Sequence, residues 1–456
     1  MTPDTKLRAA IVGAGPSGFY AAGQLLAEGF AVDLIDKLPT PFGLVRFGVA
    51  PDHPKIKNVT RVFEKTAQNP DFRFFGGVEL GRDITRAELL ERYDLVLYTI
   101  GTSSDNRLGI EGEDLVGSYP ATTFVAWYNG HPEATGNEFD LNAERAVVIG
   151  NGNVAIDVAR MLVLDEDEVQ PTDTADHAVE AFKSHGVKEV VILGRRGPAQ
   201  AAFTNPELLE LGELKRADVI VDPEQMKLDP ISQTWLDSEL AEPTNRRNVD
   251  IMKEYSTREP EGKSHRVVLQ YLRSPVAILG DGEKVTGIRV EVNEIVDDGN
   301  GNPKAVGTGV TEDIECGLVF RSIGYRGEPV DTVPYEARRG LICNEGGRVT
   351  DEDGNVLPAE YVSGWVKRGP SGVIGTNKKD SADTVARIVE DREAGKLVAK
   401  DPLGDNAEWL KSKVPDLVDW DGWTRINEHE VALGESQGRP RVKLVDIDEM
   451  KRIANT

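Results

Sequence analysis

The sequence predicts an α/β fold made of two β–α–β units with parallel sheets, within one chain of 456 residues. Three observations carry this expectation. The apolar runs of the β–α–β units are short, rich in β-branched residues and near-continuous, as in strands covered on both faces. Glycine-rich turns follow two of these runs, and each turn leads into a segment with helical spacing. The pattern then restarts: the turn at Gly13 is matched by one at Gly150, 137 residues later.

The elements follow in order. "RAAIVG" (8–13) is the first strand, and "AGPSGFYAAGQLLAEG" has the spacing of a helix, with Gly29 where a C-terminal cap belongs. "FAVDLID" (30–36) and "DLVLYTIG" (94–101) are further strands. "RAVVIG" (145–150) opens the second unit, followed by a helix from about Asn153 to Leu164. An acidic polar insertion separates that helix from the strand "KEVVILG" (188–194). The stretch 205–265 is polar and charged and reads as helical pieces and loops. "RVVLQYL", "VTGIRVEVNEIV" and "CGLVFRSIG" read as strands. The late segment "YVSGWVKRGPSGVIGTNKKDSADTVARIVED" reads as a strand, a glycine-rich turn and a helix. The first unit has too few strands to close its own sheet before the second begins. The late segment can complete it, which would make the first domain discontinuous; spacing alone leaves that open.

The turns carry the chemistry. Gly13, Gly15 and Gly18 form a full G-x-G-x-x-G between a strand and a helix. The first glycine permits the tight turn, the second lets a diphosphate approach the backbone, and the third lets helix and strand pack closely. The helix N-terminus adds free amides and partial positive charge. Asp36 ends the next strand, 23 residues after Gly13, where an acid accepts from ribose hydroxyls. The second turn repeats the theme with Gly150, Gly152 and Ala155. Here no acid ends the following strand. Arg195 and Arg196 stand in its place, in a chain whose formal charge is -24. Arginines hold a 2′-phosphate that a carboxylate would repel, so this site is expected to prefer NADPH to NADH. The plainer reading is a surface pair solvating a strand end. Two dinucleotide sites in one chain imply a donor and a relay, and the first site is then expected to hold FAD.

Composition excludes several classes. No run of 18 apolar residues occurs, so no membrane span is expected. The polar start lacks the pattern of an export signal, which predicts a cytoplasmic protein. An acidic chain of pI near 4.8 does not suit general nucleic-acid binding. Cys316 and Cys343 form no C-x-x-C pair, so neither a protein-held iron–sulfur cluster, a zinc site nor an adjacent redox disulfide is expected. The histidines show no metal spacing. "DDGNGNP" (297–303) and "DEDGN" (351–355) lack the glycine and glutamate of a calcium loop and read as turns.

"PFGLVRFGVAPDHPKIK" (41–57), "GNGNVAIDVAR", "GRRGPAQAAFT" and "SGWVKRGPSGVIGT" lie beyond what periodicity explains. Together they closely resemble the adrenodoxin-reductase family, NADPH-dependent ferredoxin reductases containing FAD, over essentially the whole chain. The resemblance implies two Rossmann-like dinucleotide-binding domains arranged as in glutathione reductase. The FAD domain is discontinuous (1–103 and 326–456, with the C-terminal tail), and the NADP domain (104–325) is inserted in it. It implies FAD contacts at Ser17, Asp36, Leu44, Leu80, Trp365, Gly372, Val373 and Ile374. It implies NADP contacts at Asn151, Gly152, Asn153, Val154, Arg195, Arg196, Glu207 and Gly372. His53 and Glu210 match positions near the nicotinamide–flavin contact, the implied catalytic pair. For His53 two readings stand, a proton-steering group whose charge changes near neutral pH and a structural residue held between Asp52 and Pro54. Three departures are visible. Asp36 is one methylene shorter than the family's common glutamate, Asn151 replaces a glutamine of some members, and Pro206 precedes Glu207.

The implied activity is hydride transfer from NADPH to FAD, then single electrons to a separate ferredoxin. Residues 41–65 carry a net +3 and residues 364–379 a net +4, leaving -31 on the rest. Lys55, Lys57, Arg61, Lys367 and Arg368 could thus steer an acidic iron–sulfur partner; alternatively they bind cofactor phosphates or face solvent. Two other functions fit a pair of dinucleotide sites: an NADPH diaphorase acting on quinones, and a non-enzymatic dinucleotide-binding redox sensor. A flavin-dependent disulfide reductase would need the absent cysteine pair.

Overall fold

A computed structural model of the chain describes residues 6–102 and 104–456. The polar stub at residues 1–5 lies outside the described residues, as does residue 103, on which the first expected boundary falls. The chain divides into two compact units: Met1–Asn106 with Gly324–Thr456, and Arg107–Ile323.

The first unit is built on a seven-stranded sheet. Its centre pairs Arg8–Val12 with Ala31–Asp36 on one side and Leu95–Tyr98 on the other, all parallel. Phe72–Gly76 extends it beyond Ala31–Asp36, and Val356–Val362 adds in parallel to Leu95–Tyr98. The late segment therefore completes the sheet begun by the first hundred residues. Successive side chains of a strand point to opposite faces. Ala9 and Ile11 enter one apolar cluster with Phe19, Leu25 and Trp423, while Ala10 and Val12 enter another with Phe75, Tyr93 and Val366. Both faces are covered, which is why these strands read as near-continuous apolar runs, broken by the buried Asp33. The helix Pro16–Ala27 ends as its sequence directs: Gly29 takes φ +84°, and its amide donates to the Leu26 carbonyl.

The second unit holds a six-stranded parallel sheet centred on Arg145–Ile149 and Glu189–Leu193. Ala146, Val148, Val190 and Ile192 face a helical layer, and Val147, Ile149, Val191 and Leu193 face Ile278, Ile288 and Val290 of a three-stranded antiparallel sheet. The acidic insertion forms two short helices, Glu166–Val169 and Asp176–Ser184, which bury Val169, Ala178, Val179 and Phe182. The helix expected to run to Leu164 stops at Met161 with Leu162 as its cap. Within the polar stretch 205–265 lies a strand that composition hid, Ala217–Val221. It is a half-exposed strand at the sheet edge, so only Ala217 and Val221 are buried. The turn at 297–303 joins two antiparallel strands, with the Asp298 amide donating to the Asn302 carbonyl. The turn at 351–355 joins Arg348–Thr350 to Val356–Val362.

Candidate functional site

In an open parallel sheet, ligands gather beyond the carboxyl ends of the strands. In the first unit that edge begins with the Gly13 turn, where each glycine has a separate steric duty. Gly13 has φ +109°, and a Cβ there would lie 2.5 Å from the Thr99 carbonyl oxygen. A Cβ on Gly18 would lie 2.1 Å from the Gly13 carbonyl oxygen, so only glycine lets helix meet strand. Gly15 differs: a Cβ there would meet nothing within 4 Å. Its freedom from contact marks the side of the turn open to a ligand. No side chain caps the helix that starts at Pro16, so its first-turn amides keep their bonding capacity.

The remaining groups of this edge fit a polar cofactor. Asp36 Oδ2 accepts from the Ala14 amide at 2.6 Å and Oδ1 from the Leu38 amide at 2.8 Å. The carboxylate thus fixes the turn while keeping further acceptor capacity. Ser17 turns its hydroxyl away into a buried trio with Ser363 Oγ at 3.0 Å and Ser381 Oγ at 3.2 Å, leaving its backbone to serve the turn. Leu44 begins the short helix Leu44–Phe47 behind Gly43, and Leu80 is buried. Trp365 follows the strand Val356–Val362, and its buried Nε1 has no hydrogen-bond partner among the described residues. The same holds for Thr40 Oγ1 and Thr102 Oγ1. Sequence reading missed these two hydroxyls, although each lies four residues beyond a strand of the sheet. Three buried donors without partners at one sheet edge are costly unless a ligand satisfies them. Gly372, Val373 and Ile374 form the entry to the helix Ile374–Glu393; Gly372 has φ +81°, and a Cβ there would meet Thr376 Oγ1 at 2.5 Å.

The second unit repeats the arrangement with different charge. A Cβ on Gly150 would lie 2.0 Å from the Ser322 carbonyl oxygen, while one on Gly152 would meet nothing within 4 Å. Asn151 Nδ2 is buried without a partner among the described residues. Gly152 caps the helix Asn153–Met161 with backbone alone, so the amides of Asn153 and Val154 lie in its open first turn. Asn153 Oδ1 accepts from the Thr204 amide at 2.8 Å, binding this turn to the helix Asn205–Leu211. Pro206 sits in the first turn of that helix, where its missing N–H costs nothing. Glu207 is held by the Thr204 hydroxyl.

Arg195 and Arg196 follow the strand Glu189–Leu193. Arg195 is exposed and Arg196 half-buried, and neither guanidinium meets a carboxylate among the described residues. Burial, and then the adjacent Arg195 charge, lowers the Arg196 pKa below the ordinary arginine value. The pair is a cationic site lacking its counter-charge. The donor set suits a phosphate carrying two negative charges.

The expected catalytic residues lie one in each unit. His53 is buried and precedes the short helix Pro54–Lys57, with Nε2 4.0 Å from Asp52 Oδ1. Glu210 bonds the buried Arg160 Nη1 at 3.1 Å. That contact ties the helix Asn205–Leu211 to the helix Asn153–Met161.

Of the cations expected to face a partner, Lys367 and Arg368 are part-buried and already paired within the fold. Lys367 Nζ lies 3.0 Å from Asp380 Oδ1, and Arg368 Nη2 donates to Asn377 Oδ1 at 2.8 Å. Two part-buried cations beside the buried Asp380 carboxylate are favoured over leaving that carboxylate alone.

A model of the NAD(P)-binding Rossmann-like domain matches residues 11–75. NADPH-ferredoxin reductase FprA of Mycobacterium leprae is 48% identical to this chain, with 98% of each covered. The chain belongs to the NADPH–ferredoxin reductase family. The mitochondrial NADPH:adrenodoxin oxidoreductase of Salvelinus fontinalis is 40% identical over 99% of this chain and 92% of its own length. The solved structure of Mycobacterium tuberculosis FprA in complex with NADPH superposes with a TM-score of 0.93 at 46% identity, covering 99% of this chain and all of that one. Family membership extends over both glycine-rich turns, well past the residues matched by the domain model. No helix of this reductase's described residues is long and apolar enough to cross a membrane.

Proposed function

We propose that this chain is an NADPH-dependent ferredoxin reductase, with FAD in the unit Met1–Asn106 and Gly324–Thr456 and NADPH in the unit Arg107–Ile323. The bound pair supplies a hydride donor and an acceptor able to return electrons singly. The protein's part is to hold and orient. Gly13, Gly15 and the first-turn amides at Ser17 and Gly18 receive the FAD diphosphate, and Asp36 receives ribose hydroxyls. Thr40, Thr102 and Trp365 offer buried donors to the same cofactor, and Leu44 and Leu80 exclude water beside it. Gly372 to Ile374 present the second helix entrance at this edge. Asn151 to Val154 receive the NADPH diphosphate, and Arg195 and Arg196 clamp its 2′-phosphate. Glu207 borders that site. His53 tunes the flavin surroundings, while Glu210 acts through Arg160 to position the helix that carries Glu207.

The observation that carries this reading is the pair Arg195 and Arg196, set at the end of a Rossmann strand without carboxylate partners among the described residues of an acidic chain. The partner reading rests on the segment 54–65. Lys55, Arg61 and Lys65 are exposed there, beside Lys57. Ile56 and Val62 are exposed among them, at 41% and 55%. A cationic surface with an apolar centre suits an acidic ferredoxin. Purification followed by anaerobic titration tests the central claim. The protein is expected to be yellow, to bleach with NADPH far more readily than with NADH, and to reduce ferredoxin. A preparation that takes up no flavin when supplied with it overturns the reading.

A further inference from the structure

Asp380 lies in the second turn of the helix Ile374–Glu393 and is 8% exposed. Its Oδ2 accepts from the Gly364 amide at 2.6 Å and from Ser363 Oγ at 3.1 Å. Its Oδ1 accepts from Lys367 Nζ at 3.0 Å, and Arg368 Nε lies 3.8 Å from Oδ2. One buried carboxylate therefore faces two cations and the backbone that precedes Trp365. The same helix supplies the other tethers: Thr384 Oγ1 accepts from Lys367 Nζ at 3.0 Å, and Asn377 Oδ1 accepts from Arg368. The anchor point admits only glycine, since Gly364 has φ +84° and a Cβ would lie 2.9 Å from Ser17. Ser363 Oγ in turn meets Ser17 Oγ at 3.0 Å, joining this turn to the first fingerprint helix.

We infer that Asp380 is a positioning residue that orients the Trp365–Arg368 turn and sets the charge this turn presents to the flavin. This rests on the reading that FAD lies against Trp365. Reduction adds electrons to the flavin, and a positive neighbour favours the reduced form. Asp380 offsets part of the charge of Lys367 and Arg368. Removing the carboxylate leaves both cations exposed to the flavin electrically. Removing Lys367 takes away the nearer positive charge and leaves the more distant Arg368 as the cation facing the carboxylate. The two changes shift the field in opposite directions, which a purely structural role would not do.

The experiment measures the midpoint potential and visible spectrum of bound FAD in the purified holoprotein for Asp380→Asn, Lys367→Met and Trp365→Phe. Asp380→Asn is expected to move the potential upward and Lys367→Met downward. Asp380→Glu is expected to return it toward the starting value. Potentials unchanged in both charge variants, with only thermal stability lowered, overturn the inference. Should Asp380→Asn fail to fold, an unchanged potential in Lys367→Met overturns it alone. Trp365→Phe separates the underlying reading. If it alters neither flavin retention nor spectrum, FAD does not lie against this turn; if it alters them while the charge variants move nothing, only the role of Asp380 fails.

Discussion

At the scale of single residues, Arg196 is the side chain to which we assign the choice between NADPH and NADH. Its guanidinium is half-buried, beside a second arginine, and meets no acid among the described residues. A charge-assisted bond to phosphate contributes about 1.5–3 kcal/mol. Arg196→Ala is expected to lower the NADPH/NADH ratio of kcat/KM by about 10- to 100-fold, mostly by weakening NADPH. Steady-state kinetics with both cofactors check this, and an unchanged ratio would remove Arg196 from the site. His53 belongs to the same scale. Hydride transfer requires no proton relay, so His53→Gln is expected to lower turnover modestly and to keep FAD bound. Loss of all flavin absorbance from the purified variant would make His53 structural instead.

At the scale of elements, the helix Trp420–Glu435 braces, through Glu430 and Arg46, the edge to which we assign FAD. Glu430 is fully buried and binds Arg46 through both oxygens, at 2.9 and 2.5 Å. It also accepts from Arg441 at 3.2 Å and from the Leu444 amide at 2.8 Å. Arg46 sits in the helix Leu44–Phe47, so the C-terminal region fixes the backbone that places Leu44. Removing one partner of a buried ion pair costs about 3–5 kcal/mol, because the other charge stays buried alone. Glu430→Ala is expected to lose stability of that order and to release FAD faster, as read by denaturant unfolding and flavin fluorescence. A variant as stable as the parent would refute the anchoring role. Nothing in the periodicity of 420–435 announces this contact, since Arg46 and Glu430 are 384 residues apart.

At the scale of the whole molecule, acid stability follows from carboxylates held ionised. Burial raises the pKa of Asp391, but hydrogen bonds from Arg348, Lys396 and Tyr361 outweigh it and bring it to about 2. Burial likewise raises Glu430, and Arg46 with Arg441 brings it below the ordinary value. A depressed folded-state pKa stabilises above the unfolded value and is lost as pH falls through the folded one. The thermal midpoint is therefore expected to hold level above about pH 5 and to fall from about pH 4 toward pH 2. Asp391→Asn should lower the plateau and flatten that fall; an identical pH profile would exclude Asp391 as a source. Net charge gives the second prediction at this scale. If the segment 54–65 steers an acidic ferredoxin, its reduction slows as the Debye length shrinks from about 10 Å at 0.1 M salt to about 3 Å at 1 M. Lys55→Glu with Arg61→Glu should reduce both the rate and its salt dependence. A rate indifferent to salt would leave the segment without a steering role.

The sequence by itself determined the parts whose physics is local. Strand, glycine turn and helix are contiguous in the chain, so Gly13, Gly15 and Gly18, and again Gly150 and Gly152, showed their duties through spacing alone. The absence of an acid after the strand 189–193, and the arginines in its place, needed no fold to be visible. Periodicity left open whether Val356–Val362 joins the first sheet; the resemblance implied it, and pairing with Leu95–Tyr98 decided it. Only the tertiary structure could reveal which charges are spent. Lys367 and Arg368 look like surface cations in the chain, because their partners lie nine or more residues away on a helix that packs back over them. Thr40 and Thr102 gained meaning only when folding buried their hydroxyls at the sheet edge where the indole N–H of Trp365, which the resemblance had already singled out, is also buried without a partner among the described residues. Backbone geometry is written in neighbouring residues, whereas burial and charge pairing depend on chain segments that meet only in the folded state.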